Sequence, residues 1–225
     1  RMLSQWGFDV EDAADGQVAV ERYLERQREG RPFDLLIMDL TIPGDPRDKV
    51  SAVAEALETA KRPLLVLGSQ TLVNEPSPER VAKAVRELGV PVYLGGMARG
   101  LLGKTSDIQF RHDRGKALKE ADLVIVCGFP FDFRLKYGQS IPKSAKLVGV
   151  NLSAATLRKN RIPDLAVKMH PGQFLVDLAR KAGTWSGAGR GEWLAALKKR
   201  EDSRDAQIEK DAHAGAETDA AATAE

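Results

Sequence analysis

Five short apolar runs, at residues 33–38, 64–67, 90–94, 123–127 and 146–150, constrain this chain more than any other feature. Runs of Val, Ile and Leu this long suit strands buried on both faces, and helical spacing between most of them makes the strands parallel. Val50, Val53, Ala54 and Leu57 share one helical face, as do Val81, Ala82, Val85 and Leu88 ahead of Gly89. Each such helix stops where a strand is about to begin, the βαβ rhythm of a doubly wound sheet. A sixth strand is expected at residues 165–169, followed by a helix after Pro171 carrying Phe174, Leu175 and Leu178. The fold class is α/β with a doubly wound parallel sheet.

At roughly 150 residues per domain, 225 residues make an awkward one and a half domains. Lys and Arg total 34 against 32 Asp and Glu, a formal net charge of +2, so nothing provides the basic excess that nucleic acids require. With 43% apolar and 29% charged residues the chain can bury a sizeable core. No apolar run approaches the roughly 18 residues that cross a bilayer, so no membrane partner is expected. The single cysteine, Cys127, closes an apolar run and suits a buried thiol in a reducing compartment. No export signal is visible at the start, and a cytoplasmic location is expected.

Three segments follow: residues 1–44, residues 45–182, and residues 183–225. The last loosens through residues 183–189, then starts a helix on Trp193, Leu194 and Leu197. Residues 212–225 hold seven Ala among fourteen positions with no apolar face, which predicts a frayed helix or disorder.

In the first segment, Phe8-Asp9-Val10-Glu11-Asp12-Ala13, then Asp15-Gly16-Gln17-Val18-Ala19-Val20, then Phe33-Asp34-Leu35-Leu36-Ile37-Met38-Asp39-Leu40-Thr41-Ile42-Pro43-Gly44 resemble a response-regulator receiver domain. The resemblance implies a partial flavodoxin-like βαβ fragment with Asp39 in the place of the phosphoacceptor. Phosphoryl chemistry there needs an acidic pair for Mg²⁺ and later Thr and Lys residues. The text stops resembling a receiver after Gly44, so Asp39 is better read as an ordinary strand-end carboxylate before a Pro-Gly turn. A phosphorelay-type regulatory protein using Asp39 remains one alternative reading, and a phosphate-loop nucleotide-binding protein another.

From Val50 to about Ala212 a different resemblance holds. Ala60-Lys61-Arg62-Pro63-Leu64-Leu65-Val66-Leu67-Gly68-Ser69-Gln70, then Leu88-Gly89-Val90-Pro91-Val92-Tyr93-Leu94-Gly95-Gly96-Met97-Ala98-Arg99-Gly100-Leu101-Leu102-Gly103, then Ala117-Leu118-Lys119-Glu120-Ala121-Asp122-Leu123-Val124-Ile125-Val126 form its main blocks. Together with Asp132-Phe133-Arg134-Leu135-Lys136-Tyr137-Gly138 and Val150-Asn151, they resemble the central domain of thiamine-diphosphate-dependent enzymes of the acetolactate synthase and 2-hydroxyacyl-CoA lyase type.

That resemblance implies a Rossmann-like sheet in a carbon-carbon lyase or ligase that uses thiamine diphosphate and Mg²⁺. In such enzymes the cofactor is held by the two flanking domains. Neither the third domain's Gly-Asp-Gly metal motif nor a first domain is present here, so the chain alone is expected to be catalytically silent, and whether it counts as an enzyme is open. Some relatives bind FAD or ADP beyond the strand ends, where backbone N–H groups face phosphates. The corresponding positions are Gly68, Ser69, Gln70, Gly96, Arg99, Gly128, Arg134 and Asn151, with Arg99 and Arg134 as phosphate-facing cations and Asn151 toward a ribose or base. No Gly-x-Gly-x-x-Gly occurs at a strand end, so FAD, ADP, a CoA-type ligand or none stays open. Glycines there also serve as plain turn formers, and Arg134 as a local partner of Asp132. Complete relatives are dimers or tetramers, which leaves self-association open.

Three features distract. Residues 98–105 fit a relaxed phosphate-loop pattern ending in Lys104-Thr105, but residues 106–112 have no helical apolar face for such a loop to open into. His112, His170 and His213 are far apart in sequence, and no Cys or His pair has metal-ligand spacing, so metal binding is not expected. Asp113 is expected to cap the helix that follows it, and Trp193 to pack its helix onto the domain.

Overall fold

A computed structural model describes residues 10–11, 16–34 and 46–222. The chain divides into two compact units, Arg1–Pro43 and Gly44–Glu225. In the first, helix α1 (Gly16–Arg28) carries Arg26, which pairs with Glu11 and lies over the Phe33 ring, 5.4 Å from its centroid. Most of the expected strand at 33–38, and Asp39, lie outside the described residues.

The second unit begins with helix α2 (Pro46–Thr59) and then alternates strand and helix. Strands β1 (Pro63–Leu67), β2 (Val92–Leu94), β3 (Gln109–Phe110), β4 (Leu123–Cys127), β5 (Lys146–Asn151) and β6 (Leu165–Lys168) form one parallel sheet in the order β3-β2-β1-β4-β5-β6. Helices α3 (Pro78–Leu88), α4 (Arg114–Glu120), α5 (Ala154–Arg158), α6 (Pro171–Ala182) and α7 (Arg190–Ala222) complete it. The order reverses between β1 and β4, and those two central strands are buried at every residue. This is the arrangement in which a crevice beyond the carboxyl ends of the strands receives ligands.

Local signals explain the boundaries. β2 starts at Val92 rather than at Val90 because Pro91 has no N–H to give to a ladder; its carbonyl still accepts Leu65 N–H at 2.8 Å. Helix α3 ends at Gly89, whose φ of 63° lets its N–H reach the carbonyls of Arg86 and Val85. Helix α6 begins on Pro171, with Nδ1 of His170 accepting the N–H groups of Gly172 and Gln173 at 3.1 and 3.3 Å. Both α2 and α3 pack on α6.

The trailing segment is fastened by two indoles. Trp185 Nε1 donates to Ala60 O at 3.1 Å and Trp193 Nε1 to Pro63 O at 3.0 Å, both from buried rings. Helix α7 continues to Ala222, through residues whose composition predicts fraying or disorder. Alanine is the strongest helix former, and propensity extends the helix where no apolar face does.

Candidate functional site

A cavity of about 610 Å³ opens beside the carboxyl ends of β2 and β3. Tyr93 and Leu94 come from β2, and Gln109 and Phe110 from β3, whose short length and polar first residue left no apolar run to read in the sequence. Its walls carry five cations, Arg99, Arg111, Arg114, Arg134 and Lys136, and no carboxylate. Of the eight positions anticipated from sequence, Arg99 and Arg134 line it. Arg111 and Arg114 come from the end of β3 and the first turn of α4, and the crowded Arg111-His112-Asp113-Arg114 run was the signal available for them.

These cations are not equivalent. Arg134 is paired with Asp132, Nη2 to Oδ2 at 2.6 Å, and its guanidinium stacks 4.8 Å from the Phe129 centroid. That hydrogen bond holds the Asp132 carboxyl below its usual range. Arg111 is gripped by α7: its Nε donates to Glu201 at 2.9 Å and its Nη2 to Asp205 at 2.6 Å, which raises its own pKa. Arg114 donates to the Arg134 carbonyl and makes no ion pair among the described residues, the Asp132 charge acting on it without direct pairing. Burial, the larger cause, and the nearby Arg99 and Arg134 guanidiniums hold Arg114 below its ordinary value. Arg99 and Lys136 make no ion pair among the described residues. Lys136 sits on strained backbone, with φ of 47° followed by 54° at Tyr137, in the region that non-glycine residues avoid.

Glu201 ties the trailing helix to this wall. It is buried, and it accepts the backbone N–H groups of Arg111 and His112 at 3.0 Å in addition to the Arg111 side chain. Tyr93 Oη donates to the His112 carbonyl at 2.9 Å, and burial, followed by the Glu201 charge, pushes the Tyr93 phenol well above its ordinary value. His112, Glu201 and Asp205 could by distance hold a metal, their ligand atoms lying within 4.8 Å of one another. Arg111 and two backbone amides already occupy those carboxylates, however. Sequence spacing could not show this cluster, because 93 residues separate His112 from Asp205.

The remaining anticipated positions gather elsewhere, along the carboxyl edge of the sheet. Gly68 and Gly128 touch across the β1–β4 crossing, and Ser69 Oγ accepts Met97 N–H at 3.1 Å beside Gly96. Gln70 Oε1 accepts Leu152 N–H at 3.2 Å, and Asn151, itself buried, turns its Oδ1 to Ser153 N–H at 2.9 Å. None of these six residues lines the cavity.

The structure corrects one expectation, the Asp113 cap. Asp113 stands at the N-cap of α4, but its φ of 53° turns its carboxylate away from the helix N–H groups, and it pairs with Lys116 at 3.1 Å instead. Residues 98–105 lead through turns into β3 and not into a helix, so they build no phosphate loop. Cys127 is fully buried and burial pushes its thiol far up. No helix among the described residues is long and apolar enough to cross a membrane.

The all-parallel sheet and its strand order, reversing between β1 and β4, place the second unit among Rossmann-like α/β domains. The description "thiamine pyrophosphate enzyme, central domain" matches residues 50–178, more than half of the chain. The chain belongs to that family. It is similar to 2-hydroxyacyl-CoA lyase 2 of Caenorhabditis elegans, 36% identical over 178 residues, which is 77% of this chain and 28% of that protein. Human 2-hydroxyacyl-CoA lyase 2 is 39% identical over 155 residues, covering 66% and 24% of the two chains. The acetolactate synthase large subunit IlvG of Mycobacterium tuberculosis is 32% identical over 121 residues, or 53% and 21%. The chain thus spans about a quarter of the length of these relatives.

The family depends on thiamine diphosphate, but the cavity does not suit that group. A thiazolium is a cation and Mg²⁺ needs oxygen ligands; five cations and no carboxylate oppose the thiazolium and the metal ion, though not a diphosphate by itself.

Proposed function

We propose that this chain is the ligand-binding central domain of a thiamine-diphosphate-dependent carbon-carbon lyase or ligase and that it turns over no substrate by itself. Its ligand is a nucleotide or CoA-type molecule whose phosphates enter the cationic cavity. The observation that carries this reading is the set of cations without an ion pair among the described residues, Arg99, Arg114 and Lys136, around a space of about 610 Å³. With no carboxylate in the lining the local field favours an anion, and the walls can surround a phosphate with charge-assisted donors. Gln109 and Ser140 add neutral polar groups beside them. FAD, ADP and CoA share the adenine-diphosphate chemistry that such walls would accept. Mg²⁺ is not needed for this binding and finds no carboxylate in the cavity lining.

Calorimetric titration with ADP, FAD and CoA, in chelator, tests the reading. Binding that weakens about tenfold in Arg114→Gln supports it, a charge-assisted pair being worth about 1.5 kcal/mol or more. Absence of heat from all three ligands sinks it. Turnover of a 2-hydroxyacyl-CoA or pyruvate by the isolated chain with thiamine diphosphate and Mg²⁺ would refute the silent-domain half.

A further inference from the structure

Helix α7 contributes no residue to the cavity lining, yet it decides which of the lining cations are free. Of the five, Arg134 is neutralised by Asp132 within its own loop, and Arg111 by Glu201 and Asp205 from α7. Arg99, Arg114 and Lys136 make no ion pair among the described residues. A nucleoside diphosphate near neutral pH carries about three negative charges, one on the inner phosphate and about two on the terminal one. A triphosphate adds about one more, and the cation that could meet it is the one held by α7.

We propose that Glu201 and Asp205 set the number of phosphates the cavity accepts. By withholding Arg111 they match the site to a nucleoside diphosphate and against a nucleoside triphosphate. This rests on the proposed reading of the cavity as an anion site. The two carboxylates divide the work. Glu201 is buried and satisfies two backbone N–H groups, so it is structural as well as electrostatic. Asp205 has 44% of its side chain exposed and, among the described residues, its polar contacts are the Arg111 and His112 side chains, so its charge can be removed while Glu201 keeps the helix docked. Selectivity of this kind arises from an element set against the wrong ligand rather than from extra attraction to the right one. Asp205 is accordingly a positioning residue, acting on the ligand through Arg111.

The test is calorimetric titration of the 225-residue chain with ADP and with ATP, both in chelator so that no divalent cation screens the phosphates. The wild-type chain is expected to prefer ADP. Asp205→Asn is expected to shift the ATP-to-ADP affinity ratio about fivefold toward ATP, the size of one partly exposed charge pair. The double variant Arg111→Gln with Asp205→Asn is expected to lose that gain. A merely structural Asp205 would weaken both nucleotides together and leave the ratio unmoved, and that result overturns the inference. So does an equal gain in the double variant. If the wild-type chain binds neither nucleotide, the anion-site reading falls and this inference with it. If it binds ADP and Arg114→Gln abolishes binding while the Asp205→Asn ratio stays fixed, only the selectivity inference falls.

Discussion

Gly68 and Gly128 meet backbone to backbone at the point where the strand order reverses: a Cβ on Gly68 would lie 2.3 Å from the Gly128 carbonyl oxygen. Gly68 N–H also donates to Cys127 O at 2.8 Å, so neither loop can withdraw without breaking the end of the ladder. Because Gly68 has an ordinary φ of −114°, the restriction is contact and not conformation. Gly68→Ala should destabilise the chain by about 3 kcal/mol, the upper part of the overpacking range. A urea midpoint that does not move would show that the loops part freely.

Trp193 joins the trailing helix to the first residue of β1. Its ring is 3% exposed, and its Nε1 satisfies Pro63 O. Trp193→Phe leaves that carbonyl without its partner and should cost about 1 to 3 kcal/mol. Trp193→Ala should cost about 3 to 5 kcal/mol by adding a cavity. Equal losses in the two variants, read from denaturant curves, would mean the hydrogen bond alone matters.

Acid should weaken the loop that presents Arg134. The Asp132 carboxyl is held below its ordinary value, chiefly by the hydrogen bond from the Arg134 side chain. A depressed folded-state value contributes stability that is complete above the unfolded value, near 4, and disappears as pH falls through the folded one. The stability difference between wild type and Asp132→Asn should therefore be small, Arg134 being 45% exposed, and should shrink toward zero on acidification. A difference that grows as pH falls from about 6 to about 3 would contradict the assignment.

Cys127 should resist alkylation. It is fully buried on β4, and burial alone pushes its thiol up, so the reactive thiolate is scarce as well as shielded. Iodoacetamide at about pH 8 should add mass only after denaturation. Rapid modification of the folded chain would place the thiol at the surface.

The sheet was largely legible because β1 and β4 are continuous apolar runs and β5 nearly so, which only strands buried on both faces require. The site was legible in part. Glycines at strand ends mark the carboxyl edge, but in space they pack on neighbouring loops, Gly68 against Gly128 and Gly96 against Ser69 Oγ. The cavity instead depends on β3, two residues long, and on where α7 lays Glu201 across a separation of 90 positions. Neither leaves a periodic trace, since an edge strand this short has no pattern and a distant carboxylate obeys no local spacing. Arg134 could be read as either a local partner of Asp132 or a phosphate-facing cation; it pairs with Asp132 and also lines the cavity.

The carboxylate that α7 lays beyond β3 has one more effect. At this outer strand Glu201 covers the amides of Arg111 and His112, and at the opposite edge Lys49 Nζ donates to Ala166 O of β6 at 3.0 Å. Main-chain groups that could template another strand are thus engaged by side chains at both margins of the sheet. A helix that looks like a mere trailing linker thereby helps keep a fully parallel, strongly apolar sheet from growing by edge-to-edge addition.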